Sequence, residues 1–197
     1  MDVRAKQRLC LLACPLLFGG LGGGFAPRHL KRYAFSMNLK RAATFWTFYP
    51  LPSEQLPALA SDALAEGYDS PSLRTLAGVT NPIMSEVEPL FRKALDELGI
   101  PIPDFSDSGK SIALYYAKAI VSGDVSPYEG ARTLWNIYNE DRVEIHNELL
   151  VFVGLASEYE DAEIYLNNGN LEYKQYLTEI TEHIILEAKK FVAKHSA

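Results

Sequence analysis

Apolar residues recur every three to four positions through most of this chain from residue 53 onward, which is the spacing of an amphipathic helix. In the first half they form three stripes, and Ser85 and Glu88 before the third have the spacing of a capping box. The apolar members are Leu56, Leu59, Ala60, Ala63 and Leu64; Leu73, Leu76 and Ala77; and Val87, Leu90, Phe91, Ala94, Leu95 and Leu98. The pattern predicts three helices, the last ending at Gly99.

The same period continues in the second half, after a loop predicted at residues 100–109. It predicts a helix over 112–120, a second over 127–138, and a long last helix from Tyr173 onward. Residues 143–156 are almost continuously apolar after Asn147. Length alone does not separate a buried helix from a strand there. We predict a central buried helix, because the neighbouring segments are helical and no turn pair flanks it.

Two of the predicted connections share one pattern, which reads G-Y-D-S-P at residues 67–71 and G-D-V-S-P at residues 123–127. Glycine tolerates the left-handed conformation that follows a helix, serine caps the next helix, and proline suits its first position. Each pattern therefore predicts a helix–Gly–turn–Ser-Pro–helix corner. The Arg-Thr-Leu triplets that follow stand at different distances from their prolines, so the pattern indicates shape rather than an internal repeat.

The net charge of −6 combines a basic beginning with an acidic body. Residues 1–36 contain six Lys and Arg against one Asp, whereas residues 37–197 contain 13 Lys and Arg against 24 Asp and Glu. An acidic body repels a phosphate backbone, which argues against nucleic-acid binding through a general basic patch. A basic protein is the partner that the electrostatics favour. The alternative is that the acidity only keeps the protein soluble.

Residues 1–36 form a basic, Gly-rich head that has three interpretations. It is upstream sequence before a true start at Met37, a signal-like segment, or an ordered part of the fold. Its apolar run from Leu9 to Phe18 is too short to span a bilayer as a helix. We predict that the head is disordered and that there is no stable membrane span. We also predict a cytoplasmic location, with export or envelope association as the alternative if the head acts as a signal.

Residues suited to catalysis or metal binding are scarce. Both cysteines, Cys10 and Cys14, lie in the head, so the body has neither a disulfide framework nor a Cys-based zinc site. His183 shares a helix face with two glutamates, but the Glu-x-x-His pair of di-iron bundles is missing. The chain also lacks a G-x-S-x-G motif, and G-K-S at 109–111 lacks the earlier glycine of a phosphate loop. We predict no catalytic residue, no metal site and no cofactor. The sequence therefore favours a function without catalysis.

The sharpest polar cluster is E-Y-E-D-A-E at residues 158–163, in which four of six residues are acidic. On a helix end or loop it would make a concentrated negative patch beside tyrosines. Aromatic side chains anchor interfaces and charge steers approach, so the patch suits a basic protein surface. The alternative is a solvated helix terminus. The predicted partner-binding residues are Glu158, Tyr159, Glu160, Asp161, Glu163 and Tyr165.

Two further groups of residues are predicted to be structural. The first is an aromatic group before a Pro-Leu-Pro segment, which we expect to dock on the helices as a lid. It consists of Phe45, Trp46, Phe48 and Tyr49. The second is expected to form surface ion pairs around the two corners. It consists of Asp69, Arg74, Asp124, Glu129 and Arg132.

Three phrases, G-Y-D-S-P-S-L-R-T-L-A-G, S-P-Y-E-G-A-R-T-L-W and F-V-G-L-A-S-E-Y-E-D, resemble those of small helical bacterial proteins of uncharacterised function. The resemblance covers roughly residues 59–163 and implies a bacterial helical domain, without an activity. In composition alone the chain is also similar to toxin-neutralising immunity proteins.

These observations together predict an all-α, single-domain bundle of six to seven helices over residues 37–197. The function that we expect is that of a non-catalytic protein-binding module, immunity-like or adaptor-like, with an acidic and aromatic surface. The alternative is a small-ligand-binding protein or enzyme with a pocket between helices. A pocket requires buried polar side chains that converge in a cavity, whereas a binding module requires a filled core and an exposed acidic patch.

Overall fold

The structure, a computed structural model, describes residues 37–140 and 142–196. Over these residues the chain forms eight α-helices and a 3₁₀ turn at Ser53–Gln55, without a strand. The helices are α1 Leu39–Trp46, α2 Leu56–Ala65, α3 Pro71–Ala77, α4 Met84–Glu97, α5 Phe105–Ser122, α6 Pro127–Tyr138, α7 His146–Asn167 and α8 Tyr173–His195. The predicted all-α class is confirmed, with eight helices in these ranges rather than six or seven. The predictions for residues 1–36 lie outside the described residues.

The buried apolar side chains form two clusters, and α1 contributes to both. Trp46 packs with residues of α2, α3 and α4, and its ring lies 4.6 Å from that of Phe91. The preceding residue, Phe45, packs instead among α5 to α8, with its ring 5.6 Å from that of Tyr115. Successive helical side chains point in different directions, so one short helix can fill both clusters. Helix α1 therefore ties the two halves of the described chain together.

The aromatic group at residues 45–49 is thus part of the core rather than a lid. Asn38 accepts a hydrogen bond from the backbone N–H of Arg41 and caps α1. Phe45 and Trp46 are buried, while Phe48 and Tyr49 are half-buried against the second cluster. Helix α1, which no apolar stripe predicted, is the helix that raises the number to eight.

The two Ser-Pro connections lead directly into helices. The Ser70 hydroxyl accepts from the backbone N–H of Leu73 at 3.2 Å, and Pro71 is the first residue of α3. The Ser126 hydroxyl accepts in the same way from the backbone N–H of Glu129 at 3.3 Å. Gly123, which closes α5, has φ = +80°, a conformation that glycine adopts without steric cost.

Two predicted helix starts are wrong. Helix α4 begins at Met84 without a side-chain cap, and Glu88 contacts Arg92 at 2.8 Å instead of closing a capping box with Ser85. The loop predicted at residues 100–109 is shorter, because α5 begins at Phe105 behind Asp104, which caps it.

Helix α7 covers the apolar segment for which a buried helix was predicted. The helix is confirmed, but only one of its faces is buried. Leu149 and Phe152 lie in the core, whereas Leu150 and Val151 are exposed. The helix also continues to Asn167, so the acidic segment 158–163 lies within it.

Helices α7 and α8 form an antiparallel hairpin closed by residues 168–172. At the open end of the hairpin, Glu148 near the start of α7 accepts from Lys194 near the end of α8 at 2.8 Å. At the closed end, the rings of Tyr165 and Tyr173 stack with their centres 4.8 Å apart. The acidic segment therefore lies toward the closed end. No helix among residues 37–140 and 142–196 is both long and apolar enough to cross a membrane.

The contact between α5 and α6 depends on a glycine, which makes it a sensitive test of the fold. A Cβ atom on Gly130 would lie 2.4 Å from Cγ1 of the buried Ile120. We expect Gly130→Ala to lower the free energy of unfolding by about 1–3 kcal/mol, although alanine is the better helix former. Urea unfolding measures this change.

The matched control for Gly130 is Gly154 in α7, where an added Cβ atom would meet no other atom within 4 Å. Gly154→Ala is expected to raise the free energy of unfolding by about 0.5–1 kcal/mol through helix propensity alone. If both variants gain stability alike, the close approach of α5 and α6 at Gly130 is wrong.

Candidate functional site

The six predicted partner-binding residues all lie in the C-terminal half of α7, and the structure distributes them over two sides of that helix. The buried face of α7 includes Leu155, Ala156 and Ala162. One flank of the helix faces α6 and the other faces α8. The predicted residues therefore have different neighbours.

The flank toward α6 is closed by internal contacts. Glu160 accepts a hydrogen bond from the Tyr128 hydroxyl at 2.8 Å and pairs with Nη1 of Arg132 at 3.2 Å. The ring of Tyr159 stacks on that of Tyr128, with 4.6 Å between centres and 17° between planes. Tyr159 and Glu160 therefore fasten α7 to α6. Glu163 is exposed, and its charge acts on both of these tyrosines.

The flank toward α8 is open to solvent. Glu158, Asp161 and Tyr165 follow one another at helical spacing, so they form one stripe along α7. Glu158 accepts from the hydroxyl of Tyr176, and Tyr173 lies edge-on to Tyr176 at 6.1 Å and 79°. We call this surface the hairpin patch. It consists of Glu158, Asp161, Tyr165, Leu171, Tyr173 and Tyr176.

Large apolar side chains of the hairpin patch lie in water. Leu171 is 77% exposed, Tyr165 49% and Tyr176 38%, and the neighbouring Ile164 is exposed as well. Single exposed apolar residues are ordinary, but several together at one end of a hairpin are typical of an interaction surface. The tyrosines also hold one another in place by stacking, which limits the entropy that a partner's binding would cost.

Half of the hairpin patch was not predicted from the sequence. Leu171, Tyr173 and Tyr176 come from the loop and from α8, and they reach Tyr165 only because the chain reverses at residues 168–172. The signal for that reversal was N-N-G-N at 167–170, where Gly169 has φ = +93°. Treating it as the turn of a helical hairpin would have placed the start of α8 beside the acidic segment.

The closed end of the hairpin has a negative charge that the described residues only partly compensate. Residues 158–176 contain five Asp and Glu and one Lys, for a net charge of −4. Asp161 and Glu163 are exposed and form no ion pair within the described ranges. At the open end, by contrast, Glu148 pairs with Lys194, and Glu187 pairs with Lys190 at 2.6 Å. The uncompensated charge is therefore local to the closed end.

Two phenols that donate to carboxylates, one in the hairpin patch and one on the flank toward α6, have raised pKa values. Burial, and then the hydrogen bond to Glu158, raise the pKa of Tyr176 to about 12. Burial and the hydrogen bond to Glu160 raise the pKa of Tyr128 to the same value, about 12. Both hydroxyls donate to carboxylates, that of Tyr176 to Glu158 and that of Tyr128 to Glu160.

The raised pKa of Tyr128 predicts a loss of stability in alkali. The pKa in the folded chain is about 12, above the value of about 10 in the unfolded chain, so the folded state holds this proton more tightly. The contribution to stability is fully present below pH about 10 and is lost as the pH rises toward about 12. We expect unfolding free energies to fall less steeply over this interval in Tyr128→Phe than in the parent. Parallel pH profiles would contradict the assignment.

The histidines of the body contact other groups of the described chain. Nδ1 of His146 lies 2.8 Å from the carbonyl oxygen of Tyr138, and the two rings stack. His183 lies 3.5 Å from Glu187, and His195 lies 2.9 Å from Glu148. Over residues 37–140 and 142–196 no three His, Cys, Asp or Glu side chains are grouped so that they could hold a metal ion.

Two clefts of the described chain are lined by residues other than its buried polar side chains. One of about 420 Å³ is bordered mainly by Trp46, Met84 and Ile102, with the Glu88–Arg92 pair at its edge. The buried polar side chains lie elsewhere and are satisfied. They are Ser70, Ser72, Ser108 and Thr133. None of these four side chains lines either of the two clefts.

Among the charged residues near the corners, Arg74 and Asp69 form a local ion pair. Arg74 and Asp69 are joined by two hydrogen bonds of 2.6 and 2.5 Å, both on the surface. Arg132 pairs with Glu160 on α7 instead of with a residue at its own corner, and Asp124 accepts from the hydroxyl of Ser122. Exposed pairs of this kind contribute about 0–1 kcal/mol, which is consistent with a bracing role.

Comparison with known protein families, with curated proteins and with solved structures found no significant match to this chain. The likeness to small helical bacterial proteins stays a prediction from the quoted phrases.

Proposed function

We propose that this protein is a non-catalytic protein-binding module that recognises a basic protein through the hairpin patch. The observation that carries the proposal is the coincidence of two exposed tyrosines, Tyr165 and Tyr176, both in ring contact with the half-buried Tyr173, with uncompensated acidic charge at the closed end of the α7–α8 hairpin. Aromatic side chains anchor protein interfaces, and complementary charge accelerates and orients encounter. An immunity-like or adaptor-like role in the cytoplasm fits such a surface.

The placement of Asp161 and Glu163 supports a role in binding rather than in folding. Acidic side chains near the C-terminal end of a helix oppose the helix dipole, and α7 has no basic residue in its last turn to offset them. Glu158 and Asp161, like Glu160 and Glu163, also stand three residues apart, a spacing at which like charges repel. A cluster that costs local stability is typical of a functional surface.

The alternative proposal is a small-ligand-binding protein or enzyme with a pocket between helices. Its support is the cleft beside Trp46, whose wall is mainly apolar and whose charged members, Glu88 and Arg92, already pair with each other. The hairpin patch combines more of the features that recognition needs, so protein binding is the function that we favour.

The test is a calorimetric titration of the full chain with a short peptide in which Arg alternates with Leu. The control peptide replaces every Arg by Glu. We expect saturable binding of the basic peptide alone, weaker by about tenfold or more when the salt is raised from about 50 to about 300 mM, because salt screens exposed charges. Equal binding of both peptides, or none of either, would contradict the proposal.

A further inference from the structure

Helix α8 has an exposed stripe on the side opposite its buried face. Ile184 and Ala188 are buried, whereas Leu186, two residues from each of them, is 49% exposed. Two helical positions turn by roughly 200°, so Leu186 points away from the core. Glu182 and Lys190, four residues before and after Leu186, are exposed on the same side of the helix. The stripe therefore has an acidic residue on one side of a leucine and a basic residue on the other.

Helix α7 extends the apolar centre of this stripe. Leu150 and Val151 are exposed on α7. Val151 and Lys190 border the same cleft of about 140 Å³ between the two helices, so they lie on one side of the hairpin. We call this surface the outer face. It consists of Leu150, Val151, Glu182, Leu186 and Lys190, and it contains none of the six residues of the hairpin patch.

The exposed charges of α8 differ between its two halves. Glu179 and Glu182 are exposed toward the closed end of the hairpin, whereas Lys189, Lys190 and Lys194 are exposed toward the open end. Lys190 and Lys194 pair within the hairpin, but Glu182 and Lys189 form no ion pair within the described ranges. A second copy turned end for end therefore places acidic residues against basic ones in both directions.

We propose that two copies of this protein associate through their outer faces, with α8 antiparallel to α8 of the partner subunit. A two-fold axis near Leu186 brings the two leucines together and sets each Glu182 opposite Lys190 of the partner subunit. A parallel arrangement would set Glu182 against Glu182 of the partner subunit, and repulsion between the carboxylates disfavours it. This inference goes beyond the proposed function, because its contacts use none of the residues of the hairpin patch.

The size of the hairpin suits such an association. Helices α7 and α8 have 22 and 23 residues. At 1.5 Å per residue and ~10 Å in diameter, two such helices side by side present a face of about 33 by 20 Å, or roughly 650 Å². Each partner of a standard stable interface buries about 800 Å², which is close to this value. The exposed apolar side chains at the centre of the outer face would leave water in the same contact.

The mass of the full chain in solution tests the association. We expect light scattering to give a mass that rises from 22.0 kDa toward twice that value as the protein concentration increases from about 1 to about 200 µM. Leu186→Glu should stay near 22.0 kDa throughout. Ile83→Glu makes the same change at an exposed apolar residue outside the hairpin, and it should behave like the parent. A monomeric parent at every concentration, or an equal loss of dimer in both variants, would overturn the proposal.

Exchanging charges tests the antiparallel register. Glu182→Lys and Lys190→Glu should each weaken the dimer about tenfold or more, because each substitution opposes like charges twice. An equimolar mixture of the two variants should dimerise like the parent, since each Lys then opposes a Glu. The double variant should do so as well, for the same reason. If neither the mixture nor the double variant dimerises, the single substitutions act by another route and the register is wrong.

The readouts keep this inference apart from the proposed function. The masses are measured without peptide, and the substituted residues lie outside the hairpin patch. A monomeric parent that binds the basic peptide refutes the dimer alone. A dimeric parent that does not bind the peptide refutes the proposed function alone.

Discussion

Replacing Trp46 by alanine is expected to lower the free energy of unfolding by about 3–5 kcal/mol, the usual cost of removing a large buried aromatic side chain. Trp46 is 4% exposed, lies 4.6 Å from the ring of Phe91, and is covered on its outer side by Arg92 at 5.7 Å. The substitution leaves a cavity in the cluster formed by α1 to α4. Because marginal stability is typical of proteins of this size, such a loss is a large part of the total.

The same reasoning applies to the adjacent residue and to the other cluster. Phe45 is 3% exposed and contacts Tyr115 and Tyr116 of α5, so Phe45→Ala should cost a similar amount. Thr44 on the same helix is the matched control. Its hydroxyl donates to the carbonyl oxygen of Lys40 within the same helix, and Thr44→Ala should change stability by less than about 0.5 kcal/mol. Losses below about 1 kcal/mol for both aromatic variants would contradict the bridging role of α1.

Neutralising the exposed acidic residues near the closed end of the hairpin is expected to weaken binding of the basic peptide about tenfold, or about 1.4 kcal/mol. The variant is Asp161→Asn with Glu163→Gln, and neither residue has an ion-pair partner among the described residues. The same variant should unfold with a free energy that is unchanged or up to about 1 kcal/mol higher, because it removes like charges from the C-terminal part of a helix.

The control for this pair removes equal charge from another part of the surface. Asp62 and Glu66 are exposed and lie at the C-terminal end of α2. Asp62→Asn with Glu66→Gln should change peptide affinity by less than about twofold, since screening limits the range of exposed charges to roughly 8 Å at physiological salt. Equal weakening by both pairs would mean that net charge, and not the hairpin patch, governs binding.

Most helices could be predicted because their apolar stripes are regular and their ends contain Gly or Ser-Pro. Helix α1 could not, because two adjacent aromatic residues that point into different clusters do not form a single stripe. The first turns of α5 also resemble a loop in sequence, because they contain small and polar residues. Ser108 and Gly109 are typical loop residues, but Ser108 is buried with its hydroxyl bonded to the carbonyl oxygen of Pro103, and Gly109 has no room for a side chain beside Val143 and Phe48. Packing against distant residues decided both cases.

Three of the six residues of the hairpin patch could be predicted from the sequence. The acidic residues and Tyr165 stand out along the chain, but the tyrosines of α8 join them only through closure of the hairpin. Which acidic residues have partners also depends on the neighbouring helices. Glu158 and Glu160 differ from Asp161 because hydroxyls of α8 and α6 reach them. A local sequence pattern does not reveal hydrogen bonds between side chains of different helices.

The most direct test of the central claim is to map where the basic peptide binds, from the amide NMR shifts of the full chain during a titration. If the hairpin patch is the binding surface, the largest saturable changes will fall on residues 158–165 and 171–176. If they fall instead on the cleft beside Trp46, Glu88 and Arg92, or spread evenly over all acidic residues, the proposed function is wrong.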